Sequence, residues 1–448
     1  MQADPIWTLL AAGVPLFPAL AAVLLGSGGF RSERTTVALS LTALTLSLAS
    51  WCALAVHAAM AGFPPTEVML GNWFRVADYG FELSLLLNGR ALVVSGTVAA
   101  LNLVVAAFAA PYLHRELGIR RFFFCLAVFA TGMQGVVLGG SLDLLFAGWE
   151  LVGLSSALLI GFFHERSAPV RSGLRAFVTY RVCDIGLLVG TVLLHHVLGT
   201  AEFLHAFAPS TLDHNLSPTV ATAVGLCLLF AACGKAAQLP FGGWLTRAME
   251  GPTPSSALFY GGLSVNAGVY LLLRASPLLE RAPIAAGMTV AIGAFTALYA
   301  GLAWRAQPDV KGQLALATMG QTGVMFIEIG LGFTGLATVH LVASTCVRTW
   351  QLLRSPNTLA EALAARAAHG GLLPGQQPTR SPSAWNRRLY SYAFRGVGLD
   401  ALTERWLVTP FFAAGRALDR LERRVVKAAG EKAPHGADSG QHRESHAK

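Results

Sequence analysis

Long apolar runs separated by short charged or Gly/Pro segments fill the first 354 residues, and they constrain the fold more than any other feature. Most runs reach the roughly 20 residues that a helix needs to cross a bilayer core of about 30 Å. Lipid offers no partner for backbone hydrogen bonds, so segments that cross it in this way are helical. The sequence therefore predicts an all-α polytopic membrane protein with about 11 transmembrane helices, one of them discontinuous. The predicted spans are 6–26, 36–60, 91–112, 121–138, 142–163, 172–197, 218–248 with a break, 254–274, 283–304, 311–331 and 334–354.

Composition agrees with a membrane environment. Of the 448 residues, 54% are hydrophobic and 13% are charged, which leaves too few polar side chains to coat a soluble globule of this size. The net charge of +9 does not indicate nucleic-acid binding, because the basic residues lie between apolar runs and in the tail, without a recognised binding motif. The six cysteines are scattered singly. We therefore predict no metal, no cofactor and no nucleic-acid partner, and a lipid bilayer as the surroundings.

Connecting segments rich in Lys and Arg alternate along the chain with segments that have few or none. In inner-membrane proteins the basic segments face the cytoplasm. With an odd number of spans, the N-terminus is predicted outside and the C-terminus in the cytoplasm of a bacterial inner (plasma) membrane. The connection at 275–282, which holds Arg281, is the weakest fit to this rule. The predicted cytoplasmic group comprises Arg31, Arg34, Arg115, Arg120, Arg121, Arg166, Arg171, Arg175, Arg305 and Lys311.

Residues 1–354 are predicted to form the transmembrane domain, and the chain beyond them contains no further long apolar run. Within that domain, the stretch from 62 to 89 alternates weakly and predicts a short external hairpin. Residues 355–384 are rich in Ala, Gly, Pro and Ser and indicate a linker. Residues 433–448 are polar and predicted to be disordered.

Between linker and end, residues 385–432 are predicted to form a cytoplasmic or interfacial tail. Phe411, Leu418, Leu421 and Val425 recur there at three- and four-residue spacings, while arginines take the other positions. This pattern predicts an amphipathic helix that lies at the membrane interface or packs on a partner.

Charged residues inside the predicted helices carry most of the functional information. At bilayer depth each costs about 2.5 to 3.5 kcal/mol by insertion scales, so it requires a partner or a water-filled path. Glu150 lies near the middle of its helix with no other charge within several residues. Asp184 follows Arg181 by three positions, which predicts an ion pair on one helix face. Arg175 extends this polar stripe toward the cytoplasm.

Lys235 lies just before a predicted helix break. Pro240 removes a backbone donor, and Gly242 and Gly243 add freedom, so the helix is expected to be discontinuous after the lysine. Such a break exposes backbone dipoles where water enters. Desolvation favours the neutral form of a lysine, which allows this residue type to release a proton.

A lone buried charge can also be structural and bond a neighbouring helix. Glu150, Asp184, Lys235 and His340 lie on four different predicted helices, which favours proton handling over four independent structural repairs. Two further charges, Lys311 and Glu328, fit the two interpretations about equally well. Three histidines near the predicted external surface are expected to be solvated and not metal ligands, namely His195, His196 and His205.

The motifs around these charges are distinctive, and they are GWELVGLSS at 148–156, RVCD at 181–184, GKAAQLP at 234–240 and MEGPTPSSA at 249–257. They resemble the antiporter-like subunits of respiratory complex I, and the L-type subunit (chain 5) of NADH-quinone oxidoreductase most of all. The same family includes membrane subunits of multi-subunit cation/proton antiporters and of inorganic carbon pumps. The resemblance covers roughly residues 1–355 and is most specific from 234 to 257.

The resemblance implies a proton route with assigned residues. In that route Glu150 pairs with Lys235, Asp184 lies beside them, and Lys311 and His340 carry the axis onward. A change in the distance from Glu150 to Lys235 would alter proton binding by the lysine, which is the core of the family's proposed pumping. The resemblance also implies other membrane subunits of a hetero-oligomeric complex as partners, and protons or sodium as the transported ion.

The chain departs from the family pattern at several positions. Tyr260 and Ser344 stand where the family usually has histidines, and Arg348 replaces a lysine. Tyrosine and serine hydrogen-bond water but titrate far from neutral pH, and arginine does not release its proton. The family's second broken helix, with its exit lysine, is not recognised after His340. The sequence therefore leaves open whether this subunit alone conducts protons from side to side.

Three functional hypotheses remain at this point. The first is a shortened antiporter-like subunit of a complex I-like NADH-quinone oxidoreductase, which relays protons through Glu150, Asp184 and Lys235 and docks through its tail. No iron–sulfur, flavin or quinone motif is visible, so any oxidoreductase activity would belong to the assembly and the chain has no predicted catalytic site. The second is the membrane subunit of a proton-driven inorganic carbon pump, and the third is a non-conducting scaffold paralogue.

Overall fold

The computed structural model describes residues 5–29, 32–76, 79–259, 261–305, 307, 309–355 and 404–428. Within these ranges the protein consists of helices and one two-stranded antiparallel sheet, so the predicted all-α membrane fold is confirmed. Nine helical segments of the described residues are long and apolar enough to cross a membrane. Nearly all of the predicted linker and the whole predicted disordered end lie outside the described residues.

The helices follow the predicted spans closely, with ends that differ by about five residues at most. The first six are α1 Pro5–Gly26, α2 Glu33–Met60, α3 Gly89–Tyr112, α4 Ile119–Leu138, α5 Leu142–Ile160 and α6 Ser167–Leu198. Short helices α7 Phe203–Ala206 and α8 Pro209–Asn215 lead to α9 Pro218–Lys235, α10 Gly243–Arg247, α11 Thr253–Phe259, α12 Leu263–Arg274 and α13 Ser276–Glu280. The last of the array are α14 Pro283–Trp304, α15 Val310–Gly330 and α16 Thr334–Leu353.

Several helices begin where a polar side chain caps the first turn. The side chains of Ser32, Asn88, Ser141, Ser217 and Asp309 each accept a hydrogen bond from a backbone N–H three residues later. Each cap satisfies one of the backbone donors that the first turn leaves without a helical partner. The local sequence therefore sets the start of α2, α3, α5, α9 and α15.

A β-hairpin connects α2 to α3, as predicted. Strand β1 (Thr66–Val76) pairs antiparallel with β2 (Tyr79–Leu87), with two irregularities in the register. The hairpin is attached to the turn between α4 and α5, because the N–H of Gly140 donates to the carbonyl oxygen of Ser84 at 2.7 Å. The same turn bridges to the start of α7 through Ser141 and Glu202. These contacts join the hairpin, the α4–α5 turn and the α6–α7 loop at one end of the bundle.

Helices α4 and α5 approach closely through glycines. A Cβ atom added at Gly148 would lie 2.6 Å from the carbonyl oxygen of Gly132, so no larger residue fits without moving a backbone. Small residues at a helix crossing allow this approach, which maximises packing where lipid provides no hydrophobic driving force. The contact fixes the position of Trp149 and Glu150, the two residues that follow Gly148.

Two spans are broken inside the bundle. The break after Lys235 was predicted, and α9 ends there before α10 begins at Gly243. The predicted span 254–274 is confirmed as a candidate crossing, Thr253–Arg274, but its interruption was not predicted. It consists of two helices, α11 and α12, separated near Gly262, whose φ of +124° a helix does not accommodate. The glycine pair at 261–262 was the available sequence signal for this second break.

The amphipathic tail helix is confirmed as a helix. After a short π-helical turn at Glu404–Val408, α17 runs from Thr409 to Ala428. Phe411, Leu418 and Leu421 are exposed on it. This helix belongs to a compact unit distinct from the one that holds α1 to α16.

Candidate functional site

Lys235 is the last residue of α9 and is completely buried. Its Nζ atom donates a hydrogen bond to the carbonyl oxygen of Trp149 on α5 at 3.1 Å. The same atom lies 4.4 Å from the ring centroid of Tyr180 on α6 and 5.2 Å from that of Trp149. The ammonium group is therefore held by a backbone dipole and two aromatic faces, contacts that stabilise a cation without a formal counter-charge.

Ion pairing around the lysine differs from both sequence expectations. Glu150 forms an ion pair with Arg181 of α6, and among the described residues no carboxylate lies within ion-pair distance of Lys235. The predicted pair between Arg181 and Asp184 within α6 is wrong for this structure, because the guanidinium turns to Glu150 on the neighbouring helix instead. The three-residue spacing of Arg181 and Asp184 places both side chains on one face of α6. It does not show that Glu150 on α5 competes with Asp184 for the guanidinium group.

Asp184 is buried on α6, with 3% of its surface exposed. Its Oδ1 atom accepts a hydrogen bond from the indole N–H of Trp149, while Oδ2 has no hydrogen-bond partner among the described residues. Trp149 thus contacts Asp184 through its side chain and Lys235 through its backbone. A buried carboxylate oxygen without a hydrogen bond costs free energy, so Oδ2 is the polar atom of this site that the described residues leave unsatisfied.

Gly153, one turn beyond Trp149 on α5, leaves the space that the ammonium group occupies. A Cβ atom added there would lie 2.6 Å from Nζ of Lys235 and 3.5 Å from Nη2 of Arg181. Sequence reasoning on charges missed Trp149, Tyr180 and Gly153. Two of them were nevertheless inside the motif at 148–156 that carried the family resemblance.

A second polar cluster joins α15 to α16. His340 Nδ1 lies 2.9 Å from Glu328 Oε1, and its Nε2 lies 2.6 Å from Gln321 Oε1. The side chains of His340 and Glu328 are 20% and 12% exposed, and Glu328 Oε2 is buried without a hydrogen-bond partner among the described residues. The sequence identified His340 and Glu328 but gave no indication of Gln321.

Polar groups lie between the two clusters. The carbonyl oxygen of Ala236, next to Lys235, accepts from the side-chain amide of Gln238 at 2.8 Å and from Thr322 at 3.3 Å. Gln238 also donates to the hydroxyl of Thr322 at 2.9 Å, and Thr322 is the neighbour of Gln321 in α15. Hydrogen bonds therefore link the broken end of α9 to α15, the helix that also carries Gln321 and Glu328.

Of the remaining predicted residues, Lys311 lies apart from these clusters. Lys311 is in the first turn of α15, where its Nζ donates to Thr253 Oγ1 at 2.9 Å, and ten helical residues separate it from Gln321 by about 15 Å. Arg175 is buried on α6, Pro240 lies in the break between α9 and α10, and Ser344 is half-buried on α16. Tyr260 lies outside the described residues.

A group of acids at the hairpin end was not predicted. One ligand atom each from Glu67, Glu202 and His205 lies within 4.8 Å of the others, which is the spacing that a cation site requires. His205 is 65% exposed and lies 3.7 Å from Glu202, and no other feature of the described residues indicates a metal there. Burial and the carboxyl groups of Glu82 and Glu67 raise the pKa of Glu202 from 4.5 to about 7.

This raised pKa predicts that attachment of the hairpin weakens as the pH rises. The folded contact binds a proton more tightly than the unfolded chain, so its stabilisation is complete below pH 4.5 and is lost as the pH approaches about 7. We expect hydrogen exchange in β1 and β2, corrected for intrinsic rates, to be faster at about pH 8 than at about pH 5. Glu202→Gln should remove this difference, whereas Glu280→Gln on α13 should keep it. Equal pH dependence in Glu202→Gln and the unaltered protein would contradict the assignment.

A family model described as NADH:quinone oxidoreductase/Mrp antiporter, TM, matches residues 139–348, which include both polar clusters. NADH-quinone oxidoreductase subunit L of Pseudomonas aeruginosa is 34% identical over 406 residues, covering 89% of this chain and 63% of the relative. The same subunit of Escherichia coli is 36% identical over 293 residues, covering 65% of this chain and 47% of the relative. Over these ranges the chain is similar to this family of antiporter-like membrane subunits. It spans 63% and 47% of the length of these two relatives.

Solved structures share the fold of this chain. A chain of the Mrp complex from Dietzia sp. superposes with a TM-score of 0.67 and 24% identity, covering 90% of this chain and 47% of that one. A chain of the membrane-bound sulfane sulfur reductase, an archaeal respiratory membrane complex, also gives a TM-score of 0.67, with 17% identity and coverage of 89% and 87%. At these identities the likeness is one of fold alone.

Proposed function

We propose that the chain is the proton-relaying, antiporter-like membrane subunit of a complex I-type NADH-quinone oxidoreductase assembly. The observation that carries this proposal is the buried Lys235 at a broken helix end, which shares the partner Trp149 with Asp184 and has no carboxylate paired with it among the described residues. A lone buried ammonium is expensive to maintain in a membrane protein, and such groups mark ion pathways. The names of the relatives from Pseudomonas aeruginosa and Escherichia coli support the type of assembly.

The proposed route begins at the first cluster. Asp184 and Lys235 exchange the proton, since both groups face Trp149 and one carboxylate oxygen has no partner. Glu150 sets the local potential through its hold on Arg181. The proton then passes by water along Gln238 and Thr322 to His340, whose two nitrogens contact Gln321 and Glu328 and can therefore accept and donate.

The other predicted residues occupy peripheral positions in this route. Lys311, at the first turn of α15, would act as an exchange point with the solution on its side of the membrane. Arg175 extends the positive stripe of α6, and Pro240 belongs to the break that admits water. Ser344 and Tyr260 replace the family's histidines, so we assign them hydrogen bonding to water and no proton release.

The partners are proposed to be other membrane subunits, because both solved neighbours are chains of multi-subunit membrane complexes. The transmembrane domain would occupy 1–354, with the N-terminus outside and the C-terminus in the cytoplasm of a bacterial inner membrane. The tail, 385–432, would dock through the exposed apolar side chains of α17. Residues 355–384 would be the linker that allows this docking.

The function is tested on the complex purified through a tag on this chain. Reconstituted in vesicles, it should acidify or alkalinise the lumen in sodium-free buffer when its redox substrates are supplied. Proton movement that requires sodium would identify sodium as the coupling ion, and no ion movement by an intact complex would contradict the proposal. Mass spectrometry of the co-purified subunits separates the assemblies, because a large zinc-containing partner would identify an inorganic carbon pump instead.

The proposed orientation predicts the outcome of reporter fusions. Fusions after Arg34, His114 and Ser355 should report the cytoplasm, and a fusion near Asn215 should report the outside. These positions follow α1, α3, α16 and α8, so they sample both faces of the helix array. A reporter after Ser355 that is active outside would refute the odd number of crossings.

A further inference from the structure

A cavity of about 530 Å³ opens at the hairpin end of the bundle. It lies where the end of β2, the start of α3, the α7–α8 region and the end of α12 meet, and its size is typical of sites for small ligands. Two arginines line it, Arg90 and Arg274, among apolar walls that include Leu204, Phe207 and Pro277. The proton clusters described above contribute no residue to this lining.

Arg274 is buried, with 6% of its surface exposed. Its guanidinium donates to the carbonyl oxygens of Val137 at 3.0 Å and Gly139 at 2.6 Å, and it lies 3.8 Å from the ring centroid of Phe203. No carboxylate of the described residues lies within ion-pair distance of it. Carbonyl dipoles and an aromatic face orient the group, but they leave its full positive charge without a counter-ion.

Arg90, half-buried in the first turn of α3, adds a second positive charge to the same cavity. It donates to the carbonyl oxygen of Leu273, next to Arg274, and it too has no ion-pair partner among the described residues. The nearby acid Glu202 is hydrogen-bonded to Glu82 instead. By contrast, Arg281 at the same end forms an ion pair with Asp213.

Two guanidinium groups at one cavity repel each other, and an anion between them offsets this repulsion because it attracts both. Guanidinium forks match the oxygens of a phosphate, and arginine is the residue that proteins use for such charge-assisted, bidentate contacts. The apolar walls suit an amphiphile, whose acyl part would contact them while its phosphate contacts the two guanidinium groups. We propose that this cavity binds a phosphate anion, presented by the headgroup of an anionic phospholipid.

The test uses the full chain in its native complex, reconstituted in nanodiscs of phosphatidylcholine with a minor fraction of phosphatidylglycerol. Native mass spectrometry should detect retained phosphatidylglycerol, and Arg90→Gln and Arg274→Gln should each reduce its retention roughly tenfold, the scale of a lost charge-assisted contact. Arg281→Gln is the matched control at the same end and should leave retention unchanged. If Arg274→Gln fails to assemble, Arg90→Gln alone decides.

A parallel arm separates the two sources of phosphate. The delipidated complex is titrated with inorganic phosphate and bound phosphate is followed by ³¹P NMR. Binding of inorganic phosphate that Arg90→Gln abolishes, without retention of phosphatidylglycerol, supports a site for free phosphate. Binding of neither, or retention that is the same in Arg90→Gln and the unaltered protein, would overturn the proposal.

Discussion

Proton flux through the assembled complex is expected to fall at least about 100-fold when Lys235 is replaced by methionine. A positioned acid–base group typically raises a rate by about 10²- to 10⁴-fold, and the substitution removes this contribution. Methionine keeps the length and apolar contacts of the side chain, so it fits beside Tyr180 and Gly153. It removes the titrating group and the hydrogen bond to the carbonyl oxygen of Trp149. The measurement is proton flux in vesicles, compared at equal subunit content.

The matched control is Cys233→Ala, two residues earlier on the same buried helix turn. It changes packing without removing a charge, so we expect flux near that of the unaltered complex. A scaffold subunit would behave differently, because its complex would remain active with Lys235→Met as long as it assembled. Full flux in that variant would exclude a proton route through this lysine.

The second large effect on proton flux is expected when Glu150 is replaced, and it arises through the ion pair with Arg181. Glu150→Gln removes the acid that holds Arg181, leaving a half-buried guanidinium without its partner beside Lys235. The added positive potential opposes protonation of the lysine, so we expect flux to fall roughly tenfold or more. Glu150→Asp keeps the charge and should retain part of the flux.

A double substitution distinguishes this mechanism from a direct role of Glu150 as a proton carrier. If the freed guanidinium causes the loss, Glu150→Gln combined with Arg181→Gln should recover part of the flux, because both charges are then gone. If Glu150 itself carries the proton, the double variant should be as inactive as Glu150→Gln. The comparison is a double-mutant cycle on flux, with complex composition checked for all three variants.

Much of the fold was predictable from the sequence because apolar length and loop charge are local properties. The ends of α1, α3 and α14 lie within about two residues of the predicted ones. The break after Lys235 followed from Pro240 and two glycines. The break between α11 and α12 was not predicted, since both halves belong to the same apolar run and the glycine pair at 261–262 was the one local signal for it.

The charged residues of the candidate site could be selected from the sequence, but the sequence did not show which of them pair with each other. Burial cost selected Glu150, Asp184, Lys235 and His340 without information on distances. Their partners depend on how α5, α6 and α9 rotate against one another, which no sequence spacing reports. For this reason the acid that pairs with Arg181 was assigned incorrectly. Trp149 and Gln321 are neutral, so the cost of burying a charge does not identify them.

Trp149 contacts Asp184 through its indole and Lys235 through its backbone carbonyl, so both contacts depend on the position of one helix, α5. Thermodynamic linkage then requires reciprocity between movement and proton occupancy. If proton release favours a displacement of α5, an external force that displaces α5 in the same way favours proton release by the same free energy. A neighbouring subunit that pushes on this one helix could therefore drive the proton, and the proton could equally do work on the neighbour.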